Sequence, residues 1–296
     1  MTMSQIRSAR AETMTAAQRV LAILEVFDQE HLVLTLSEIS RRAGLSLSTT
    51  HRLVGELREW GALERSSDGR YAIGMRILEL GSLEPQGLRL REIALPFLGD
   101  LQAATNANVH LAVRDGHDVV YVESLRARGG APVLSRLGGR WPLHATGTGL
   151  VLLAHADPAL VDEVIAAGWP RHTAHTIRDG KELREKLRHV RADGFAVTSG
   201  HIYEESRGIA VPVMGPHDVV YAAMGVVVAN DDTAIQPIVE LLTTAAAGIT
   251  RDLERAYLPD GGPTAGRIRP LVSTSPRSLE YMLEHGLDAS GASRGG

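Results

Sequence analysis

The stretch from Thr35 to Leu63, TLSEISRRAGLSLSTTHRLVGELREWGAL, leaves its chain few conformational choices. Thr35 followed three residues later by Glu38 is a reciprocal capping pair: hydroxyl and carboxylate each take an amide that a helix start would leave without an acceptor. A helix therefore begins there. Gly44 ends it, because glycine accepts the left-handed backbone of a sharp turn, and Ser46 caps the next helix at Leu47. In that helix Thr50, Leu53, Val54 and Leu57 share one side by the helical period, which predicts a core-facing stripe. The opposite side carries Ser48, Arg52, Gly55 and Glu59. Residues 63 to 73 then alternate around Asp68-Gly69, the pattern of a short hairpin. Upstream, Val20, Ile23, Leu24 and Phe27 recur at helical spacing until the polar stretch Asp28 to His31.

Two tightly joined helices followed by a hairpin, with small hydroxylated residues and an arginine on the outer face, point to nucleic acid. Ser46, Ser48, Thr49 and His51 let a backbone approach the floor of a major groove, while Arg52 reaches a guanine edge or a phosphate. Glu56 and Glu59 repel phosphate, so insertion is confined to the first two turns, where the helix dipole is positive. Arg41 and Arg42 end the preceding helix and can clamp a flanking strand. Arg65 and Arg70, at the hairpin tip, can track a phosphate or enter a minor groove. Bulk charge does not suggest this. The net charge is −4, and residues 1 to 75 hold nine arginines against nine acidic side chains. Phosphate attraction must come from placement, since both lysines, Lys181 and Lys186, lie far downstream.

With 296 residues and no cysteine, the chain suits two domains and excludes disulfides, thiolate metal sites and a cysteine nucleophile. Its first twenty residues lack the apolar core of a signal peptide and no run approaches a membrane span, so a cytoplasmic location without membrane contact is expected. Residues 1–13 read as an arm, 14–74 as the DNA-binding domain, 75–87 as a linker helix interrupted near Pro85, 88–257 as the larger domain and 258–296 as a Gly/Pro/Ser-rich tail. In the larger domain a helix is expected over Pro96 to Ala104. A hairpin follows, from Val109, Leu111 and Val113 through Asp115-Gly116 to Val119–Val122. Gly208 to Val213 forms a second hairpin with Val219 to Ala229 through Pro216-His217-Asp218. Helices are expected at 158–167 behind Asp157, at Lys181 to Ala192 before Gly194, and at 235–256, with a helical turn in the tail at Pro276 to His285. The class is α+β with an antiparallel sheet.

LSEISRRAGLSLSTTHRL and GRYAIG, followed by VHLAVRDGHDVVYVES, PLHATGTGLVLLAHA and GIAVPV, strongly resemble the isocitrate lyase regulator (IclR) family of bacterial transcription factors across about residues 14 to 257. The resemblance implies a winged helix-turn-helix, a GAF-like effector-binding domain, and homodimers or homotetramers reading near-palindromic double-stranded operators. Repression is the commoner mode. Two departures stand out: Leu47 occupies a position where the family often has lysine, and the tail after Tyr257 is long.

Ala145-Thr146-Gly147-Thr148-Gly149 precedes an apolar helix, expected at Leu150 to Ala154, and places amides and two hydroxyls at its N-terminus, where anions bind. A small organic acid is the natural ligand, and the resemblance implies that this loop lines the effector pocket, facing Thr198, Ser199 and His201. It further implies an acidic residue near Thr198 and hydroxyls at positions matching Gly225 and Val227, all missing here. A wall of Met224, Val226 and Val228 then favours a larger, more apolar and possibly aromatic acid. No cofactor is expected. The pairs His172/His175 and His144/His201 lack the spacing of a committed metal site, and Ser199 near His201 lacks the strained elbow of a nucleophile, so neither a metal nor catalytic residues are assigned. Two alternatives stay open, an enzyme with an appended nucleic-acid domain and a ligand-independent DNA-binding scaffold.

Overall fold

The computed structural model describes residues 14–28, 30–133, 135–215 and 219–257. The expected arm, the turn at 216–218 and the tail with its helical turn lie outside them. The chain divides into two compact units between Pro85 and Gln86.

In the first unit, helix α1 (Ala16–Leu24) is capped by Thr15 with Gln18, and α2 (Leu36–Ala43) by Thr35 with Glu38. Gly44, at φ 69°, turns the chain, and Ser46 caps α3 (Leu47–Trp60). Strands β1 (Leu63–Arg65) and β2 (Tyr71–Ile73) pair antiparallel. Helix α4 (Met75–Gly81) follows. Ile23, Ile39, Leu53, Val54, Leu57, Leu63 and Tyr71, from α1, α2, α3, β1 and β2, fill one core. The expected linker, interrupted near Pro85, holds one helix and the start of another. α4 stops at Gly81, and a helix of 21 residues, α5 (Pro85–Thr105), starts at Pro85 rather than at Pro96. Proline at the first helical position needs no amide acceptor, so Pro85 begins a helix as well as interrupting one. Pro96 sits inside α5.

The second unit is built on a six-stranded antiparallel sheet of order β5-β4-β3-β8-β7-β6. Its strands are β3 (Asn108–Asp115), β4 (Asp118–Leu125), β5 (Arg140–Pro142), β6 (Ala196–Ser199), β7 (Ser206–Met214) and β8 (Val220–Ala229). Between β5 and β6 run α6 (Gly147–Ala154), α7 (Pro158–Ala167) and α8 (Gly180–Asp193), and α9 (Gln236–Tyr257) closes the unit. Asp157 caps α7, and Gly194, at φ 78°, ends α8.

The two faces of this sheet are covered differently. Val109, Leu111, Ile209, Val211, Val213, Met224 and Val226 pack against Leu90, Leu98 and Leu101 of α5 and Leu242, Ile249 and Leu253 of α9. On the reverse, the residues packed under α6, α7 and α8 include Ala112, Ala196, Ala210 and Ala223. A bulge in β4 opposes Leu111 to Glu123 and Ala112 to Tyr121, leaving Val122 as the extra residue. Tyr121 thereby packs on the α6 side while Glu123 meets Arg91 of α5 at 2.7 Å. Re-aiming side chains in this way is what a bulge does.

Candidate functional site

The first unit presents a polar surface around the start of α3. The Thr49 amide donates to Ser46 Oγ at 3.2 Å, Ser46 Oγ donates to Thr49 Oγ1 at 2.9 Å, and Ser48 Oγ lies 3.2 Å from Ser46 Oγ. Ser46, Ser48, His51 and Arg52 are exposed, whereas Thr50, Leu53, Val54 and Leu57 are buried. Arg52 does not extend freely: it pairs with Glu56 one turn on, at 2.5 Å. Arg41 and Arg42 are exposed in the last turn of α2. At the hairpin tip the Arg65 guanidinium stands 5.7 Å over the Tyr71 ring and Arg70 pairs with Asp68 at 3.6 Å. The Ser66 and Arg70 hydrogen bonds hold the chain that carries both.

In the second unit the helix start expected at Leu150 lies three residues earlier. Thr146 is the cap, accepting the Gly149 amide at 2.9 Å, so Gly147, Thr148 and Gly149 are the first residues of α6. Two poor helix formers open this helix, and at the second of them nothing larger fits. A Cβ on Gly149 would stand 2.2 Å from the Leu143 carbonyl oxygen. Under the helix start, a Cβ on Gly225 would meet the Ile209 carbonyl oxygen at 2.8 Å and Thr148 Cγ2 at 3.3 Å. The helix end is thus pressed onto the sheet. The amides of Gly147 and Thr148, in its first turn, have no acceptor within the helix and carry the positive end of its dipole.

A cavity opens beside that helix end, with about 570 Å³ of empty space including its mouth. Ala145, Thr146, Gly147 and Thr148 line it, with Thr198, His201 and Val226. His110, Tyr121, Trp141, Gly208, Gly225 and Val227 complete the floor and one wall, and Ile202 and Tyr203 come from the β6–β7 loop. The Thr146 and Thr148 hydroxyls are 3.3 Å apart, and Tyr121 lines the cavity with them. His110 Nε2 and Ser135 Oγ share a hydrogen bond of 3.0 Å. Burial, helped by the Arg126 charge, pushes His110 down to about 3, so its ring is neutral. Burial also depresses His144 and His201 to about 4 each.

Part of the expected effector set needs correction. Met224 is fully buried in the opposite core with Val226, Val228 packs on that same core, and Val226 only borders the cavity. Ser199 is exposed and does not line the cavity. Alternation explains both. Gly225 and Val227 lie between those three residues on β8 and so face the other way, as Thr198 does beside Ser199. The wall is therefore made of Gly225 and Val227, small and apolar. Among the lining residues sequence reasoning missed, His110, Tyr121 and Trp141 sit on β3, β4 and β5, brought to the cavity by a strand order no local pattern encodes.

The IclR helix-turn-helix domain matches residues 16–67, and the bacterial transcriptional regulator IclR C-terminal domain matches residues 85–251. The chain belongs to the IclR family. An IclR homolog from Microbacterium hydrocarbonoxydans, solved with 4-hydroxybenzoate, is 38% identical with a TM-score of 0.77 over 81% of this chain and all of that one. The HTH-type transcriptional regulator XynR of Escherichia coli is 30% identical over 243 residues, 80% of this chain and 96% of XynR. The HTH-type transcriptional repressor AllR of Klebsiella pneumoniae is 31% identical over 185 residues, 62% of this chain and 68% of AllR. This IclR protein is a DNA-binding transcriptional regulator, and its relatives are regulators rather than enzymes. Among the described residues no helix is long and apolar enough to cross a membrane.

Proposed function

We propose that this IclR regulator is a cytoplasmic repressor released from its operator by an aromatic carboxylic acid bound beside the start of α6. The observation that carries the reading is the pairing, in one cavity, of a helix N-terminus with an aromatic and aliphatic wall. Gly147 and Thr148 amides and the Thr146 and Thr148 hydroxyls suit a carboxylate, and Tyr121, Trp141, Ile202 and Val227 suit a ring. Two and three carbons would leave that wall uncovered. The Microbacterium homolog's 4-hydroxybenzoate and AllR's name as a repressor support the ligand class and the sign of control.

DNA is read by the exposed start of α3, with Ser46, Ser48, Thr49, His51 and Arg52 toward base edges. Arg41, Arg42, Arg65 and Arg70 bear on the backbone. Leu21, Trp60, Met75, Leu78 and Leu83 of the first unit are large, apolar and exposed, which favours a homodimer, or pairs of dimers, on a near-palindromic site. Effector and operator are then coupled reciprocally if the acid binds one dimer arrangement better than the other.

The test is a thermal unfolding screen followed by operator binding. Hydroxylated and plain benzoates, at a hundredfold excess over Kd, should stabilise the protein by about 2.7 kcal/mol, whereas acetate and pyruvate should not. The same acids should weaken operator binding, and Arg52→Ala should weaken it without them. Stabilisation by short acids alone, or unchanged operator affinity in Arg52→Ala with Arg70→Ala, would overturn the reading.

A further inference from the structure

The carboxylate site accounts for one polar region of the cavity. Another lies in the β6–β7 loop, at His201. The loop is fixed by its backbone. Gly200 has φ 70°, its amide donates to the Ser206 carbonyl at 2.9 Å, and its carbonyl accepts from Thr173 Oγ1 at 2.6 Å. The His201 carbonyl accepts from Thr176 Oγ1 at 2.7 Å. The imidazole is therefore delivered to the cavity wall by bonds made elsewhere, and its Nδ1 is buried with no hydrogen-bond partner.

Buried polar atoms are nearly always paired, and leaving one unpaired typically costs about 1–3 kcal/mol. Among the described residues three other buried side chains carry such an atom, and none serves the cavity. His144 Nε2 belongs to a ring stacked on Trp169 at 4.6 Å, and Arg89 and Gln102 are on α5. None of the three lines the cavity. His110, which does, is already bonded to Ser135. Burial first, then the neighbouring Lys186 charge, hold His201 neutral at ordinary pH. A neutral imidazole nitrogen suits a hydroxyl, which both donates and accepts, better than it suits a second carboxylate.

We propose that His201 Nδ1 hydrogen-bonds a ring hydroxyl of the aromatic acid and so makes this chain selective for hydroxylated over unsubstituted benzoates. The inference rests on the aromatic-acid reading above, adding to it the residue that recognises the substituent. A site built to bond a hydroxyl rejects the analogue that lacks it because its own polar atom stays unpaired.

The test uses the full chain and isothermal titration with benzoate and with 2-, 3- and 4-hydroxybenzoate. At least one hydroxybenzoate should bind about tenfold or more tightly than benzoate. In His201→Phe that ratio should fall to near one, and His201→Gln should restore part of it. A crystal structure of the unmodified complex gives an answer independent of any variant's folding: the ring oxygen should lie about 3 Å from Nδ1. A ratio that survives His201→Phe, or a ring oxygen directed elsewhere, overturns the role of His201 and leaves the aromatic-acid reading standing. Failure of every aromatic acid to bind removes both.

Discussion

The two faces of the six-stranded sheet share a backbone and divide its side chains. Where α5 and α9 lie, the strands present Val109, Leu111, Ile209, Val211, Val213 and Met224, and the space between the layers is filled. Where α6 lies, the same strands present Ala112, Ala210 and Ala223, with Gly208 and Gly225 under the helix end. Large residues bring the first pair of layers to close packing, and small ones let a helix terminus come down onto the second while leaving room beside it. Neighbouring residues on one strand thus answer to different demands: Met224 to the core, Gly225 to the cavity of the proposed ligand.

This division is open to direct attack. The largest effect is expected for Met224→Ala, which removes a fully buried side chain. It should cost about 2–5 kcal/mol in urea unfolding, while the Kd for the aromatic acid in calorimetry changes little. Gly225→Ala should reverse the pattern. Its Cβ lies within contact of the Ile209 carbonyl oxygen and Thr148, so the expected destabilisation is about 1–3 kcal/mol, and effector affinity should fall as α6 is lifted. If Gly225→Ala binds the acid normally, the close seating of the helix does not serve recognition.

A pH titration separates the faces without a substitution. His110 is held down from its ordinary 6.5 to about 3 by burial and by Arg126. The unfolded chain takes up a proton below 6.5 that the folded one refuses. The stability this represents is therefore complete above pH 6.5 and is lost as pH falls toward 3, by about 1.4 kcal/mol per unit at most. Among the described residues the buried histidines are His110 and His144, and neither packs in the core of the opposite face. In His110→Gln the urea midpoint should decline less steeply over that window, and an identical slope in both proteins would refute the assignment. Least of all, Tyr121→Phe removes the hydroxyl of a buried residue that lines the cavity with Thr146 and Thr148. It should cost about 1 kcal/mol of stability and a several-fold loss of acid affinity, read by the same calorimetry.

Which parts could be read in advance follows from the range of the interactions. Thr35 with Glu38, Ser46, Asp157 and Gly194 act on amides or carbonyls within a turn, so their sequence neighbours disclose them. The core stripe of α3 was equally plain, since Thr50, Leu53, Val54 and Leu57 repeat at one helix's own period. The cavity was only half visible. Thr146 and Thr148 announced a helix start, but the run from Val219 to Ala229 is apolar at almost every place, so nothing in it tells which alternate residues face which layer. The expectation of Met224 and Val228 as wall residues fails because alternation turns them to the other layer. α6 escaped at its beginning because Gly147 and Gly149 oppose helix formation, and the clash of a Cβ with Leu143 that requires glycine at 149 exists only in the folded molecule.

The bulge at Val122 has its own consequence. Counting alternately from Tyr121, an unbroken strand would swing Glu123 round to the ligand's side and plant a fixed negative charge against an incoming acid. Because Val122 is taken up as a bulge, that carboxylate is instead bound to Arg91 behind the sheet. At the proposed acid site, the charge facing the ligand thus depends on how the backbone of one strand is paired, which substitution at the lining positions leaves untouched.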